Sequence, residues 1–240
     1  MRKHKKTDGF INVLCIVQAR MGSTRLPGKV LKKIAGMPVL AYVLEAAKNS
    51  HYIPLTKIIV PLTEQDKPLI DIHKESEYFA KDDILVYDVP ENDVLSRYYK
   101  CYKEISKNNR IDNIVRITSD CPLLAFFPHI IDSIIYDHCV NEYDYSWNRH
   151  NNFMPSGLDV EVFKTKILEE MYLNIDSLTG AEKEHVTLYI RNNKDKYNIL
   201  NQSCNDTNLF WSDIKTKLSI DTKEDFEKIS DIINLMKMKG

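Results

Sequence analysis

The alternation of short β-branched runs with helix-patterned stretches constrains this chain more than any other feature. Residues 11–17 are an apolar run broken only at Asn12, with Ile11, Val13, Ile16 and Val17 β-branched. Such a run predicts a strand buried on both faces. A Gly/Ser/Pro loop follows, and from Pro38 the residues Val39, Leu40, Tyr42, Val43, Leu44, Ala46 and Ala47 recur at helical spacing, with proline in the first turn. Further strands are predicted at 57–62, 84–87 and 111–118. Helices are predicted from Asp66 to Phe79, from a cap at Asn92 or Asp93 through Ile105, and over 128–139. Parallel strands need long crossovers, and helices supply them. The order therefore predicts a Rossmann-like three-layer α/β fold, a mixed and mostly parallel sheet with helices on both faces.

The second half is less regular. Residues 147–156 are polar and turn-prone, 158–163 alternate as a strand, and helices are predicted over 164–173 and 181–193. A brief strand at 218–220 precedes a last helix from Thr222. No repeat, low-complexity tract or linker interrupts the chain. Its 240 residues read as a basic tail over 1–10 and one domain over 11–240.

Thirty-three Lys and Arg balance thirty-four Asp and Glu, a formal net charge of -1, which argues against nucleic acid as a partner. No apolar run approaches the ~20 residues needed to span a bilayer. The basic start followed by Val13–Val17 lacks the length and the cleavage site of a secretion signal. Cys15, Cys101, Cys121, Cys139 and Cys204 are odd in number and show no C-x-x-C pairing. They read as reduced thiols of a cytoplasmic protein, and no Cys/His spacing suits zinc.

The segment Gln18-Ala19-Arg20-Met21-Gly22-Ser23-Thr24-Arg25-Leu26-Pro27-Gly28-Lys29 carries the chemistry. Loops after the first strand of an open α/β sheet are where ligands collect. Its two glycines let backbone approach an anion, Ser23 and Thr24 supply hydroxyls, and Arg20, Arg25 and Lys29 supply positive charge, a combination suited to a polyphosphate. It is not a Walker loop: five residues rather than four separate Gly22 from Gly28, and Val30 stands where a magnesium-binding Ser or Thr would.

This segment resembles the N-terminal signature of the bacterial cytidylyltransferases, the CMP-Kdo and CMP-sialic acid synthetases and, closest in pattern, the SpsF-like spore-coat polysaccharide proteins. The resemblance continues through residues 31–40, Glu91–Tyr99, Thr118-Ser-Asp-Cys-Pro-Leu123, Gly157–Phe163, Glu184-His-Val-Thr187 and Ile220–Phe226. It implies the nucleotide-diphospho-sugar-transferase-like fold, with a nucleotide half at about 11–140 and an acceptor and dimer half at about 141–240.

By motif position, Arg20, Lys29 and Asp120 are the implied catalytic residues. Ala19, Met21, Gly22, Ser23, Thr24, Arg25, Asn92, Asp93, Arg97 and Ser119 join Arg20 and Lys29 as nucleotide-binding residues. Asp120 and Asp221 are implied to hold Mg2+, and Asp159, Glu161 and His185 to face an acceptor. Other roles remain open. Arg25 can brace the loop, and Asn92, Asp93, Asp120 and Asp221 can cap helices or turns. His185 can be structural, and Arg149 and His150 can meet an acceptor carboxylate or lie in a mobile surface loop. Tyr98, Tyr99 and Tyr102 read as core or interface aromatics.

The implied reaction is transfer of CMP from CTP to an anionic sugar acid or phosphorylated acceptor, with release of pyrophosphate, by a homodimer in surface polysaccharide biosynthesis. The alternatives are transfer from another NTP to a sugar 1-phosphate, and a non-catalytic nucleotide-binding scaffold.

Overall fold

Segments with no polar face must be covered on both sides, and they build the centre of the sheet. The computed structural model describes residues 11–149, 154–200 and 216–239; the basic tail 1–10, His150 and Cys204 lie outside the described residues. The strands are β1 (Val13–Gln18), β2 (Lys33–Ile34), β3 (Met37–Pro38), β4 (Leu55–Pro61), β5 (Ile84–Tyr87), β6 (Asn113–Thr118), β7 (Tyr145–Trp147) and β8 (Glu161–Lys164). β2 and β3 pair with each other, and the rest form a six-stranded sheet in the order β5-β4-β1-β6-β8-β7. β1 pairs parallel with β4 and β6, β5 pairs parallel with β4, and β8 is antiparallel to both β6 and β7. The mixed, mostly parallel sheet expected from the sequence is what forms.

The two-residue period of a strand sorts the core into two layers. Val13, Cys15, Val17, Val115 and Ile117 pack with helices α1 (Val39–Lys48) and α4 (Pro128–Val140) on one face. Leu14, Ile16, Ile59, Ile114 and Phe163 pack on the other with α3 (Val94–Ile105) and α5 (Thr165–Leu173). Helix α8 (Lys223–Lys239) adds Ile229 and Ile233 to the first layer. Cys15, Cys101 and Cys121 are buried free thiols, as their apolar settings require. Among the described residues no helix is long and apolar enough to cross a membrane.

Three elements depart from the sequence reading. The helix expected from Asp66 to Phe79 shrinks to α2 (Lys67–Ile70) and a 3-10 turn at Ile72–Lys74. Only Leu69 of α2 is buried, so no apolar stripe rewards continuation, and the Asp66 carboxylate is spent on another loop rather than on a cap. The helix expected over 181–193 divides into α6 (Gly180–Glu184) and α7 (Leu188–Asn192). A reciprocal Thr179–Glu182 capping box starts α6, and Thr187 is drawn away to hydrogen bond Glu161 at 2.7 Å. Residues 218–220 join no ladder and are held by individual hydrogen bonds instead.

β1 is the point at which the strand order reverses, with β4 on one side and β6 on the other. A crevice opens outside the carboxyl ends of strands at such a switch, and the loops after β1 and β6 border it.

One buried polar group ties the edge of the sheet to α4. His138 is fully buried; Asn113 Oδ1 accepts from Nε2 at 3.1 Å, and Nδ1 accepts from the Ser146 hydroxyl at 2.8 Å. Burial, with help from Lys164, lowers its pKa to about 3. Between about 6.5 and 3 the unfolded chain binds a proton that the folded chain refuses, so stability falls as pH drops through that window. Replacing His138 with Gln is expected to flatten the dependence of urea-unfolding free energy on pH between 6.5 and 3.

Candidate active site

The first loop is shaped by its own backbone. Met21 C=O accepts from Ser23 N–H at 2.9 Å and Gly28 N–H at 3.0 Å, closing the bend on itself. Gly28 sits at φ +69, a left-handed conformation that glycine adopts without strain, and buried Leu26 pins the far side. Ala19 N–H donates to Ile59 C=O at 3.1 Å, and Met21 N–H donates to buried Asp66 Oδ1 at 2.7 Å. The bend is thus anchored to β4 and to the turn after it. Gly22 leaves room for a neighbour, since a Cβ there would stand 2.7 Å from Glu91 Oε1.

Each loop cation rests on carboxylates from distant parts of the chain. Lys29 Nζ donates to Asp120 Oδ2 at 2.8 Å, Ile220 C=O at 2.7 Å and Asp221 Oδ1 at 3.0 Å. Arg20 pairs with Glu91 at 2.8 Å and Glu184 at 3.5 Å, and Arg25 with Asp221 at 3.1 Å. Burial works against the charged form of Lys29, but Asp120 and Asp221 outweigh it and its pKa rises. Burial likewise opposes ionisation of Asp221, yet Lys217 and Lys29 hold it at about 2. These groups are therefore fully charged at neutral pH.

Asp221 reaches Asp120 because the 218–221 segment docks as extended chain. Ile220 N–H donates to Asp120 C=O at 3.0 Å and Leu218 N–H to Ser156 C=O at 2.6 Å. Asp225 accepts from the backbone of Asp221 and Thr222, both at 3.0 Å. The start of α8 is capped from within, leaving the Asp221 side chain to the cleft rather than to a cap.

These pieces enclose a cleft of about 350 Å³. The loop contributes Ala19, Arg20, Ser23, Thr24, Arg25 and Lys29. The end of β6 adds Ser119 and Asp120, and Arg97, His185 and Asp221 close it from elsewhere. An adjoining rim depression brings Gly22 and Asn92 together with Gln65 and Glu91.

Other expected residues lie apart from the cleft, beneath it or at its rim. Met21 packs partly buried against the core. Asp93 caps α3 through Ser96 N–H at 3.0 Å and Ser96 Oγ at 2.7 Å. Asp159 accepts from Gly157 N–H at 2.7 Å and faces Arg149 at 3.7 Å. Glu161 is buried beneath the cleft in an ion pair with Arg116. Tyr98 is core, its hydroxyl donating to Ile16 C=O at 3.2 Å. Arg97 is buried and gives Nη1 and Nη2 to the carbonyls of Pro90 and Glu91, shaping the rim. Arg116, Asp66 and Glu184 were not among the expected site residues. Arg116 had a signal, a lone charge inside the apolar run Ile114-Val115-Arg116-Ile117.

A cationic loop facing paired carboxylates at the switch point of this sheet is the arrangement expected of a nucleotidyl-transferring enzyme. The family model for cytidylyltransferases matches residues 14–239. The chain belongs to the cytidylyltransferase family. It is 31% identical over 218 residues to the spore coat polysaccharide biosynthesis protein SpsF of Bacillus subtilis, covering 91% of this chain and 85% of that protein. A solved cytidylyltransferase from Leptospira borgpetersenii is 28% identical and superposes with a TM-score of 0.74, covering 94% of this chain and 87% of that one. CMP-2-keto-3-deoxy-manno-octonic acid synthetase, solved with CTP, shares the fold at 13% identity, TM-score 0.59, covering 94% and 99%.

In this cytidylyltransferase Gly157 makes the docking of the 218–221 segment possible. It sits at φ +106, and a Cβ there would lie 2.2 Å from the Leu218 carbonyl carbon and 2.3 Å from Ser219 N. Gly157→Ala is expected to cost about 1–3 kcal/mol, read by urea unfolding, and to displace Asp221 from Lys29.

Proposed function

We propose that this cytidylyltransferase transfers CMP from CTP to an anionic sugar acid of surface polysaccharide synthesis and releases pyrophosphate. One observation carries the reading: Lys29 Nζ lies within 3.0 Å of three oxygens, from Asp120, Ile220 and Asp221, at the base of a bend that also carries Arg20 and Arg25. In the apo protein these cations are satisfied by internal carboxylates. A triphosphate offers them stronger, charge-assisted partners, so CTP takes Arg20 from Glu91 and Glu184 and draws Lys29 and Arg25 away from Asp221.

That exchange leaves hard oxygen donors converging on the position held by the Lys29 ammonium. Asp120 and Asp221 with the Ile220 carbonyl suit Mg2+, which favours carboxylates shared with substrate phosphates and retained waters. Bound there, Mg2+ would neutralise phosphoryl charge and ease deprotonation of an attacking hydroxyl. Ser23, Thr24 and the loop backbone hold the phosphates, and the rim at Gly22 and Asn92 receives the base and ribose.

The acceptor hydroxyl attacks the α-phosphorus opposite the departing pyrophosphate. Its oxygen–phosphorus bond forms, the α–β bridging bond breaks, and the hydroxyl proton leaves to solvent. Such transfer needs alignment and charge neutralisation more than a dedicated base, which is what Arg20 and Lys29 supply.

Lys29→Ala and Asp120→Asn are each expected to lower pyrophosphate release by at least about 100-fold, with folding monitored by circular dichroism. Chelation of divalent ions should stop turnover and added Mg2+ restore it. Among the four common NTPs, CTP should give the largest thermal stabilisation; preference for UTP or GTP overturns the reading.

A further inference from the structure

Arg116 stands in a strand whose other inward residue is Ile114, on the face covered by α3 and α5. A cation there pays a desolvation cost that an apolar side chain would avoid. The surroundings are built to keep it charged and aimed. Arg116 and Glu161 lie directly opposite each other on β6 and β8, and Arg116 Nη1 donates to Glu161 Oε2. The other oxygen, Oε1, accepts from Tyr145 Oη at 2.6 Å and from Thr187 Oγ1 at 2.7 Å. Every polar atom of the buried Glu161 carboxylate is therefore used in holding something.

Arg116 is not used up in the same way. Among the described residues, Nη1 is its only nitrogen with a hydrogen-bonding partner. Nε is buried and unpartnered, while the side chain lines the floor of the cleft. Arg97, which also lines the cleft, has given both Nη groups to backbone carbonyls. Arg116 is thus the guanidinium on that side of the cleft with donors to spare.

Position separates it from the phosphate cations. Arg20, Arg25 and Lys29 all belong to the loop after β1, whereas Arg116 lies inside β6, opposite Ile16 of β1, in a cleft whose lining also includes Val94, Arg97 and His185. In-line attack places the acceptor on the far side of the α-phosphorus from the pyrophosphate. Arg116 lies opposite Ile16 of β1, below the loop that begins after Gln18, so a triphosphate held along that loop leaves the floor at Arg116 for the acceptor. With Nε buried, Nη2 is the nitrogen left to offer, and a guanidinium donor in a partly dry site suits a carboxylate.

We propose that Arg116 binds the carboxylate of the acceptor sugar acid, and that Glu161 is its positioning residue, coupling it through Thr187 to the turn that carries His185. Glu161 then shapes acceptor recognition from below without touching the acceptor. The inference rests on CMP transfer to a sugar acid as the function.

The test compares binding of 3-deoxy-manno-octulosonate and N-acetylneuraminate with that of their methyl esters, by calorimetry on the full chain loaded with a non-hydrolysable CTP analogue and Mg2+. The unaltered chain should prefer at least one acid over its ester by about tenfold or more, as a charge-assisted hydrogen bond requires. Arg116→Gln should erase that preference while leaving affinity for the CTP analogue within about twofold, Arg116→Lys should restore part of it, and Glu161→Gln should weaken it. The paired change Arg116→Met with Glu161→Met removes both ions without stranding either and should fold and bind the nucleotide analogue without discriminating acid from ester. Persistence of the acid preference in Arg116→Gln, or loss of nucleotide affinity in the paired variant, overturns the inference. So does an unaltered chain that binds the CTP analogue but treats every acid and ester alike, an outcome that leaves the nucleotide reading standing. An unaltered chain that binds no CTP analogue overturns both.

Discussion

The ammonium of Lys29 is the joint of this structure. It gathers an oxygen from the end of β6, one from the backbone of the 218–221 segment and one from Asp221, so chain regions separated by up to 192 positions meet at one atom. Without a partner, Asp120 and Asp221 would repel each other across a partly buried space. Without the carboxylates, burial alone would lower the pKa of the lysine. Each charge is tolerable only because the others are present, and the cleft inherits its shape from that mutual dependence.

The same logic runs through the rest of the cleft. Arg20 with Glu91 and Glu184, Arg25 with Asp221, and Arg116 with Glu161 are pairs drawn from different segments. They divide by exposure. The Arg20 pair has side chains 43% and 35% exposed and the Arg116 pair 13% and 4%. An exposed pair is worth little and yields readily to a better anion; a buried pair is not easily separated. Arg20 and Arg25 are therefore exchangeable, whereas Lys29, 12% exposed, and Arg116 are held more firmly. Under the proposed function, that division suits a triphosphate near Arg20 and Arg25 and an acceptor near Arg116.

Much of the fold was legible because burial on both faces leaves a plain signature. The runs at 11–17, 57–62, 84–87 and 111–118 became β1, β4, β5 and β6 with shifts of a few residues at their ends. The loop at 18–29 announced its cations and glycines in one contiguous stretch. What failed to show was anything depending on a partner distant in sequence. Asp66 looked like a cap, and its carboxylate instead holds the backbone of Met21. Glu161 looked like part of an open acceptor strand, yet it is buried because Arg116 stands across the ladder from it. The helix expected over 181–193 divides where Thr187 is recruited by that same carboxylate.

By itself the sequence determined the layers, the parallel centre of the sheet, the position of the first loop and its concentration of cations. Those properties follow from local periodicity and from residue types adjacent in the chain. Only the tertiary structure decided which carboxylate each cation meets, that Asp120 and Asp221 converge on one point, and that Glu161 supports Arg116 from beneath the cleft. Pairing between distant charges depends on the register of β6 against β8 and on the close approach that Gly157 permits. Geometry of that kind exists only once the chain has closed on itself.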